Sequence, residues 1–235
     1  RHVLKQQQLR RKQNLSAKYT GKHYRYEILT EPTQQRWLYS LDVPYTRTRG
    51  VWVSDDYQIQ HRAPVYSQFK YQVDSYYEMP LRGGTTAFIK ELNLQLPAKS
   101  NPKTRSWVTE LRSKHADDKE FIKAVKVFFK QENFRYTLRP SPMPQNSVDQ
   151  LLFHYRAGFC AHYASAAALV MRLAGIPARL VTGYLGGEQH ESGYLSVYQY
   201  DAHAWIEVWQ EDTGWTRFDP TALVAPDRAM YGLEQ

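Results

Sequence analysis

Residues 158–184 read GFCAHYASAAALVMRLAGIPARLVTGY, and this stretch decides the fold. Ala161–Ala174 holds six alanines and neither Gly nor Pro, which favours helix. Gly175 fits the position just past a helix end, and Pro177 prevents continuation. Cys160 is therefore expected at the N-terminus of a long, small-residue, buried helix. Beyond it, Arg179–Tyr184, Tyr194–Tyr198, Ala202–Trp209 and Trp215–Asp219 read as strands. Glu211-Asp212-Thr213-Gly214 is a hairpin turn between the last two.

Working outward, the preceding segment from Pro102 has a helical period. Trp107 and Leu111 are four apart, and Phe121, Val125 and Phe128 continue a stripe widened by Ile122, Val127 and Phe129. Asp117 and Glu120 have capping-box spacing. A short third helix is expected from Ser147, with Gln150 at the matching position and Val148, Leu151 and Leu152 on its apolar side. Between Tyr24 and Leu96 the period is two instead. Tyr24–Ile28, Trp37–Val43, Val51–Val53, Tyr57–Ile59 and Phe69–Val73 read as short strands between prolines. The expected organisation is a basic tether over residues 1–22, a small β domain over 23–100 and a core over 101–235.

The formal net charge is +8, unevenly spread. Residues 1–159 carry 27 basic and 14 acidic side chains, and residues 160–235 carry 4 and 9. The basic half can meet an anionic surface. No nucleic-acid motif accompanies the charge, so no nucleic acid is expected. No run of 18 apolar residues exists to span a bilayer, and no secretory signal opens the chain. The chain starts at Arg1, as a piece of a longer protein would. One cysteine excludes an internal disulfide and a multi-cysteine zinc site. His154, Cys160 and His162 lack zinc spacing and a fourth ligand. Gly186-Gly187 reads as a loop, with no helix-opening motif behind it. No calcium loop is visible, and no cofactor is expected.

The chemistry centres on Cys160. The positive end of a helix and its unpaired N–H groups favour thiolate, the nucleophilic form. A cysteine nucleophile needs a base and a group to orient that base. If Trp209 pairs with Trp215, Asp219 falls opposite Trp205, diagonal to His203 and on the same face. Diagonal neighbours lie about 7–8 Å apart, within reach of an imidazole and a carboxylate. A register slipped by one would separate them. The implied reaction is acyl transfer, with the Cys160 N–H as one oxyanion donor and Tyr136 or Trp205 as a second. Arg156 and Arg179 read as structural ion-pair partners. Trp205, Trp209 and Trp215 share a hairpin face, at least two of them for packing.

Gly158-Phe159-Cys160-Ala161-His162-Tyr163-Ala164, Leu173–Arg179, Val181–Tyr184, Asp201–Val208, Gly214-Trp215 and Phe218–Thr221 together resemble the bacterial transglutaminase-like superfamily. The resemblance runs from about Trp107 to Ala225. It implies an α+β fold with a papain-like core and a Cys160-His203-Asp219 triad. The whole chain resembles the extracytoplasmic part of TgpA-type membrane proteins. That implies a periplasmic domain of an inner-membrane protein, tethered outside this chain. Three functions follow for comparison. A transglutaminase would join a glutamine-bearing protein or peptide to an amine. A cysteine protease or amidase would use the same triad with water. A non-catalytic envelope-binding module would use the cleft or the basic half. The intact triad argues against the third.

Overall fold

The computed structural model describes residues 22–76, 79–82 and 85–227. The tether expected over residues 1–22 lies, except for Lys22, outside the described residues. The chain divides after Met79 into two compact units.

In the first unit, β1 (His23–Thr30), β2 (Pro44–Tyr45) and β5 (Phe69–Tyr76) form an antiparallel sheet ordered β1-β5-β2. A two-stranded ladder joins β3 (Val51–Val53) to β4 (Ile59–His61). Alternation along β5 sends Tyr71 and Val73 into a small core with Leu38, Ile59 and Val65. Residues 37–43 do not form the strand their alternation predicts. Leu38 and Val43 are buried, whereas Trp37 and Leu41 are exposed. The Tyr71 hydroxyl takes the place of a ladder there: it accepts from the Tyr39 N–H and donates to the Tyr39 carbonyl, both at 2.9 Å. The strand expected at 57–59 lies two residues later, at Ile59–His61.

The second unit contains the Cys160 helix. Its sheet is antiparallel, ordered β12-β11-β8, from β8 (Ala178–Tyr184), β11 (Ala202–Gln210) and β12 (Gly214–Phe218). Trp209 pairs with Trp215 and Ile206 with Phe218, the register read from the sequence. On one face Ala204, Ile206 and Val208 meet α5 (Cys160–Leu173). Ala164, Ala166, Ala167 and Ala168 are all buried along that helix, where small side chains permit close packing. Gly175 at φ +79° ends it as expected. Outside lie α2 (Pro102–Lys114) and α3 (Asp118–Gln131), which buries Phe121, Ile122, Val125 and Phe129. The Asp117 carboxylate caps α3, accepting from the N–H groups of Lys119 (2.9 Å) and Glu120 (3.1 Å).

The boundary expected at residue 100 moves. Residues 80–100, which include α1 (Ala87–Leu92), belong with the second unit. The reason is hydrogen bonding: the Trp215 N–H donates to the Leu81 carbonyl at 3.0 Å, and the Ala178 N–H to that of Asn93 at 3.1 Å. The helix at 147 is α4 (Ser147–Gln150), continued by a π turn over Leu151–Tyr155. Its cap is not its own. Asn101, ahead of α2, accepts from the N–H groups of Val148 and Asp149, and the Asp149 carboxylate accepts from those of Lys103 and Thr104. The two helix starts cap each other.

Candidate active site

Cys160 opens α5, and Phe159 before it offers no side-chain cap. The first N–H groups of the helix thus keep their donors for something else. A parallel clip holds this turn. β6 (Arg135–Tyr136) pairs with β7 (Ala157–Gly158), the Arg135 N–H donating to the Arg156 carbonyl and that of Thr137 to Gly158, each at 2.8 Å. Gly158 is needed for close packing: a Cβ there would meet the His162 Cβ at 3.0 Å and the Leu151 Cδ1 at 3.1 Å. The clip sets Tyr136 beside Cys160.

His203 is the second residue of β11 and is fully enclosed at its side chain. Asp219 follows the last residue of β12. The His203 Nε2 lies 2.7 Å from the Asp219 Oδ2. The Asp219 Oδ1 accepts from the Thr221 N–H at 3.1 Å, and the Arg217 guanidinium donates to Oδ2 at 3.4 Å. The other ring nitrogen, Nδ1, is buried and makes no hydrogen bond among the described residues. It is the nitrogen left for the Cys160 thiol, which raises the proton affinity of the ring. Such contacts are often loose without substrate and tighten around it.

The proton affinities of all three groups are shifted toward their charged forms. Burial pushes the Cys160 thiol up, but His203, the Ala204 N–H and the Tyr136 hydroxyl outweigh it and hold the thiol below its ordinary value. Burial pushes the His203 ring down, but Asp219 and Cys160 outweigh it and raise the ring above its ordinary value. Burial raises the Asp219 carboxyl, but the His203 bond and charge, with Arg217, hold it below the usual carboxylate range. A lowered thiol beside a raised imidazole favours thiolate–imidazolium. The two groups titrate as a pair.

Of the residues singled out in the sequence, Cys160, His203, Asp219 and Tyr136 come together. Trp205 is close but placed differently. Its ring stands 6.1 Å from that of His203 at 22°, with the Arg217 guanidinium 4.1 Å from its centroid. Across the ladder it covers Gly183, where a Cβ would come within 2.8 Å of its Cη2. Trp205 thus forms a wall beside the His203–Asp219 bond. Trp209 and Trp215 pack on each other at 5.5 Å. Arg179 pairs with Glu207 and Arg156 with Glu132, both at 2.6 Å. Three contributors went unread: the Ala204 N–H, the Thr221 N–H and Arg217. Arg217 shares a strand face with Asp219, so parity could have found it. A backbone N–H leaves no mark in the sequence. Among the described residues, no three His, Cys, Asp or Glu side chains are grouped to hold a metal ion.

The chain matches the transglutaminase-like superfamily over residues 105–220 and the TgpA N-terminal domain over residues 2–82. It is similar to the crystal structure of the periplasmic domain of TgpA from Pseudomonas aeruginosa. That likeness has a TM-score of 0.88 and 42% identity, and it covers 91% of this chain and 75% of that one. The chain belongs to the transglutaminase-like superfamily. A Pseudomonas aeruginosa protein-glutamine gamma-glutamyltransferase is 44% identical over 216 residues, covering 92% of this chain and 32% of that protein. The uncharacterized protein YebA of Bacillus subtilis is 29% identical over 221 residues, covering 86% of this chain and 29% of YebA. The chain thus spans about a third of the length of these two relatives. As a member of this superfamily it has the expected α+β core with a small β region before it. No helix among the described residues is long and apolar enough to cross a membrane.

Proposed function

We propose that this chain is the catalytic domain of a protein-glutamine gamma-glutamyltransferase that works on the periplasmic side of the inner membrane. Cys160 is its nucleophile, His203 its acid and base, and Asp219 the group that orients and charges His203. The observation that carries the reading is the 2.7 Å His203–Asp219 bond beside a thiol held below its ordinary proton affinity. The similarity to a relative named for this activity, and to a periplasmic domain, supports it.

The Cys160 thiolate attacks the side-chain amide carbon of a substrate glutamine. The carbonyl π pair moves to oxygen, where the Cys160 N–H and the Tyr136 hydroxyl donate to the oxyanion. The oxyanion collapses, the C–N bond breaks, and the His203 imidazolium gives its proton to the departing ammonia. A thioester and a neutral imidazole remain. A primary amine then attacks the thioester and His203 takes its proton. The C–S bond breaks, leaving an isopeptide and the thiolate–imidazolium pair. Trp205 keeps water from the His203–Asp219 bond, which strengthens it.

The test is incorporation of a labelled primary amine into casein, with Cys160→Ala as the control. Labelling that vanishes in the variant is the expected result. Ammonia or peptide release that depends on Cys160, with no amine incorporated, would overturn the transferase in favour of a hydrolase.

A further inference from the structure

Between β8 and β11 the chain leaves the sheet in a hairpin, β9 (Glu188–Gln189) paired with β10 (Leu195–Ser196). Its stem is the end of the strand that carries His203. Tyr184 pairs with Ala202, and the Leu185 N–H donates to the Asp201 carbonyl at 2.9 Å. The hairpin is built to a definite shape. Gly187 sits at φ +137°, where a Cβ would come within 2.8 Å of the Ser196 carbonyl oxygen. The His190 ring stacks on Tyr194 at 4.2 Å, and its Nε2 is 3.0 Å from the Ser196 hydroxyl. The buried Asp201 carboxylate accepts from the Tyr198 N–H at 2.8 Å, and Tyr198 stacks on Tyr200 at 5.1 Å.

This ordered scaffold presents apolar surface to solvent. Tyr194 is 56% exposed, Leu195 53%, Val197 47%, Tyr198 39% and Tyr200 45%. Exposed apolar side chains gathered on one hairpin mark an interaction site. Its charge selects the partner. No Lys or Arg occurs between Arg179 and Arg217, and the hairpin exposes Glu188 and Glu191. Aromatic faces rimmed by carboxylates suit the aliphatic stems and cationic heads of lysine and arginine. An anionic lipid surface would be repelled. A glutamine amide is neutral, whereas the amine-bearing partner is cationic at neutral pH. Of the two substrates, the hairpin therefore discriminates in favour of the second.

We propose that Leu185–Asp201 is the docking surface for the amine-bearing substrate, a lysine-containing protein segment of net positive charge that resolves the Cys160 thioester. This rests on the transglutaminase reading. The experiment compares three nucleophiles at saturating casein: hydroxylamine, a lysine peptide flanked by Arg and Lys, and the same peptide flanked by Glu. The variants are Tyr198→Ser with Tyr200→Ser, and Glu188→Gln with Glu191→Gln.

With wild-type protein, kcat/KM should be higher for the cationic peptide than for the acidic one, and added salt should narrow the difference. The tyrosine variant should lower the ratio of kcat/KM for the cationic peptide to that for hydroxylamine roughly tenfold, mainly through KM. The glutamate variant should flatten the salt dependence. A ratio unmoved by either variant overturns the proposal, as does a rise in KM for casein instead. Binding to phosphatidylglycerol vesicles that the tyrosine variant abolishes would reassign the surface to membrane and overturn it too. Wild-type protein active on hydroxylamine but indifferent to peptide charge keeps the transglutaminase reading and removes the hairpin's role. Wild-type protein inert toward hydroxylamine removes both.

Discussion

Replacing Asp219 by Asn keeps size and shape while removing one charge and turning one acceptor into a donor. The Thr221 N–H needs an acceptor and is bonded to Oδ1. In the variant that demand fixes the amide oxygen there and turns the NH2 toward the His203 Nε2. A donor facing Nε2 makes that nitrogen an acceptor and leaves the neutral ring's proton on Nδ1. That is the nitrogen which should take the proton from Cys160. The variant therefore loses the imidazolium's partner and also selects the wrong tautomer. The lost charge-assisted hydrogen bond is worth about 1.5–3 kcal/mol. At about 1.36 kcal/mol per pH unit, the His203 proton affinity should fall by roughly one to two units. The assay is kcat/KM for amine incorporation across pH. Its alkaline limb, where the imidazolium is lost, should move to lower pH by that amount. The maximum should fall by on the order of 10²–10⁴. A folded Asp219→Asn protein with an unmoved alkaline limb would refute the argument, because Asp219 would then not be charging His203.

Three further outcomes are expected. Tyr136→Phe should lower kcat on the order of 10²-fold with little change in KM, since an oxyanion donor acts on the transition state, and kcat within twofold of wild type would exclude that role. Gly183→Ala should displace the Trp205 ring, costing about 1–3 kcal/mol in denaturant unfolding and lowering kcat, and full retention of both would disprove the close packing. The Asp219 contribution to stability is present above its unfolded value near ~3.9 and fades as pH falls through its lower folded value, while that of His203 is present below ~6.5 and fades as pH rises through its higher folded value. The Tm difference between wild type and Asp219→Ala should therefore be largest between about pH 4 and 6.5, and a flat difference would contradict the shifts.

Much of the second unit was legible because its signals are local. Alanine content, Gly175 and Pro177 bounded α5, and the turn before Gly214 set the hairpin register. The first unit was harder, because residues 37–43 alternate like a strand while the Tyr71 hydroxyl satisfies the Tyr39 backbone. The segment 80–100 leaves no local signal of its unit for a related reason. Its bonds to Trp215 and Ala178 cross more than eighty residues and leave no periodicity. Tyr136 was nameable only as one of two aromatic candidates. What separates it from Trp205 is the parallel pairing of Tyr136 with Gly158, a two-residue ladder too short to show as a pattern.

The site is also where packing and chemistry impose one requirement. Ala204, Ile206 and Val208 must face α5, so β11 can sit in the sheet only with His203 on the opposite face. The turn then fixes β12 against β11, with Gly214 at φ +79° and a Cβ there only 2.7 Å from the Leu81 carbonyl oxygen. Asp219 lies one residue past the last pair, Ile206 with Phe218, so its parity follows from the same register. A slip of one residue would expose the apolar row and move Asp219 to the other face in the same step. The register that buries the core is therefore the one that brings the carboxylate to the imidazole. Cys160, His203 and Asp219 all stand at or next to element ends. There, the rigid middle of each element fixes their direction. Such an arrangement requires a stable sheet before it can have a reactive thiol. Loosening the hairpin should thus cost activity before it unfolds the domain.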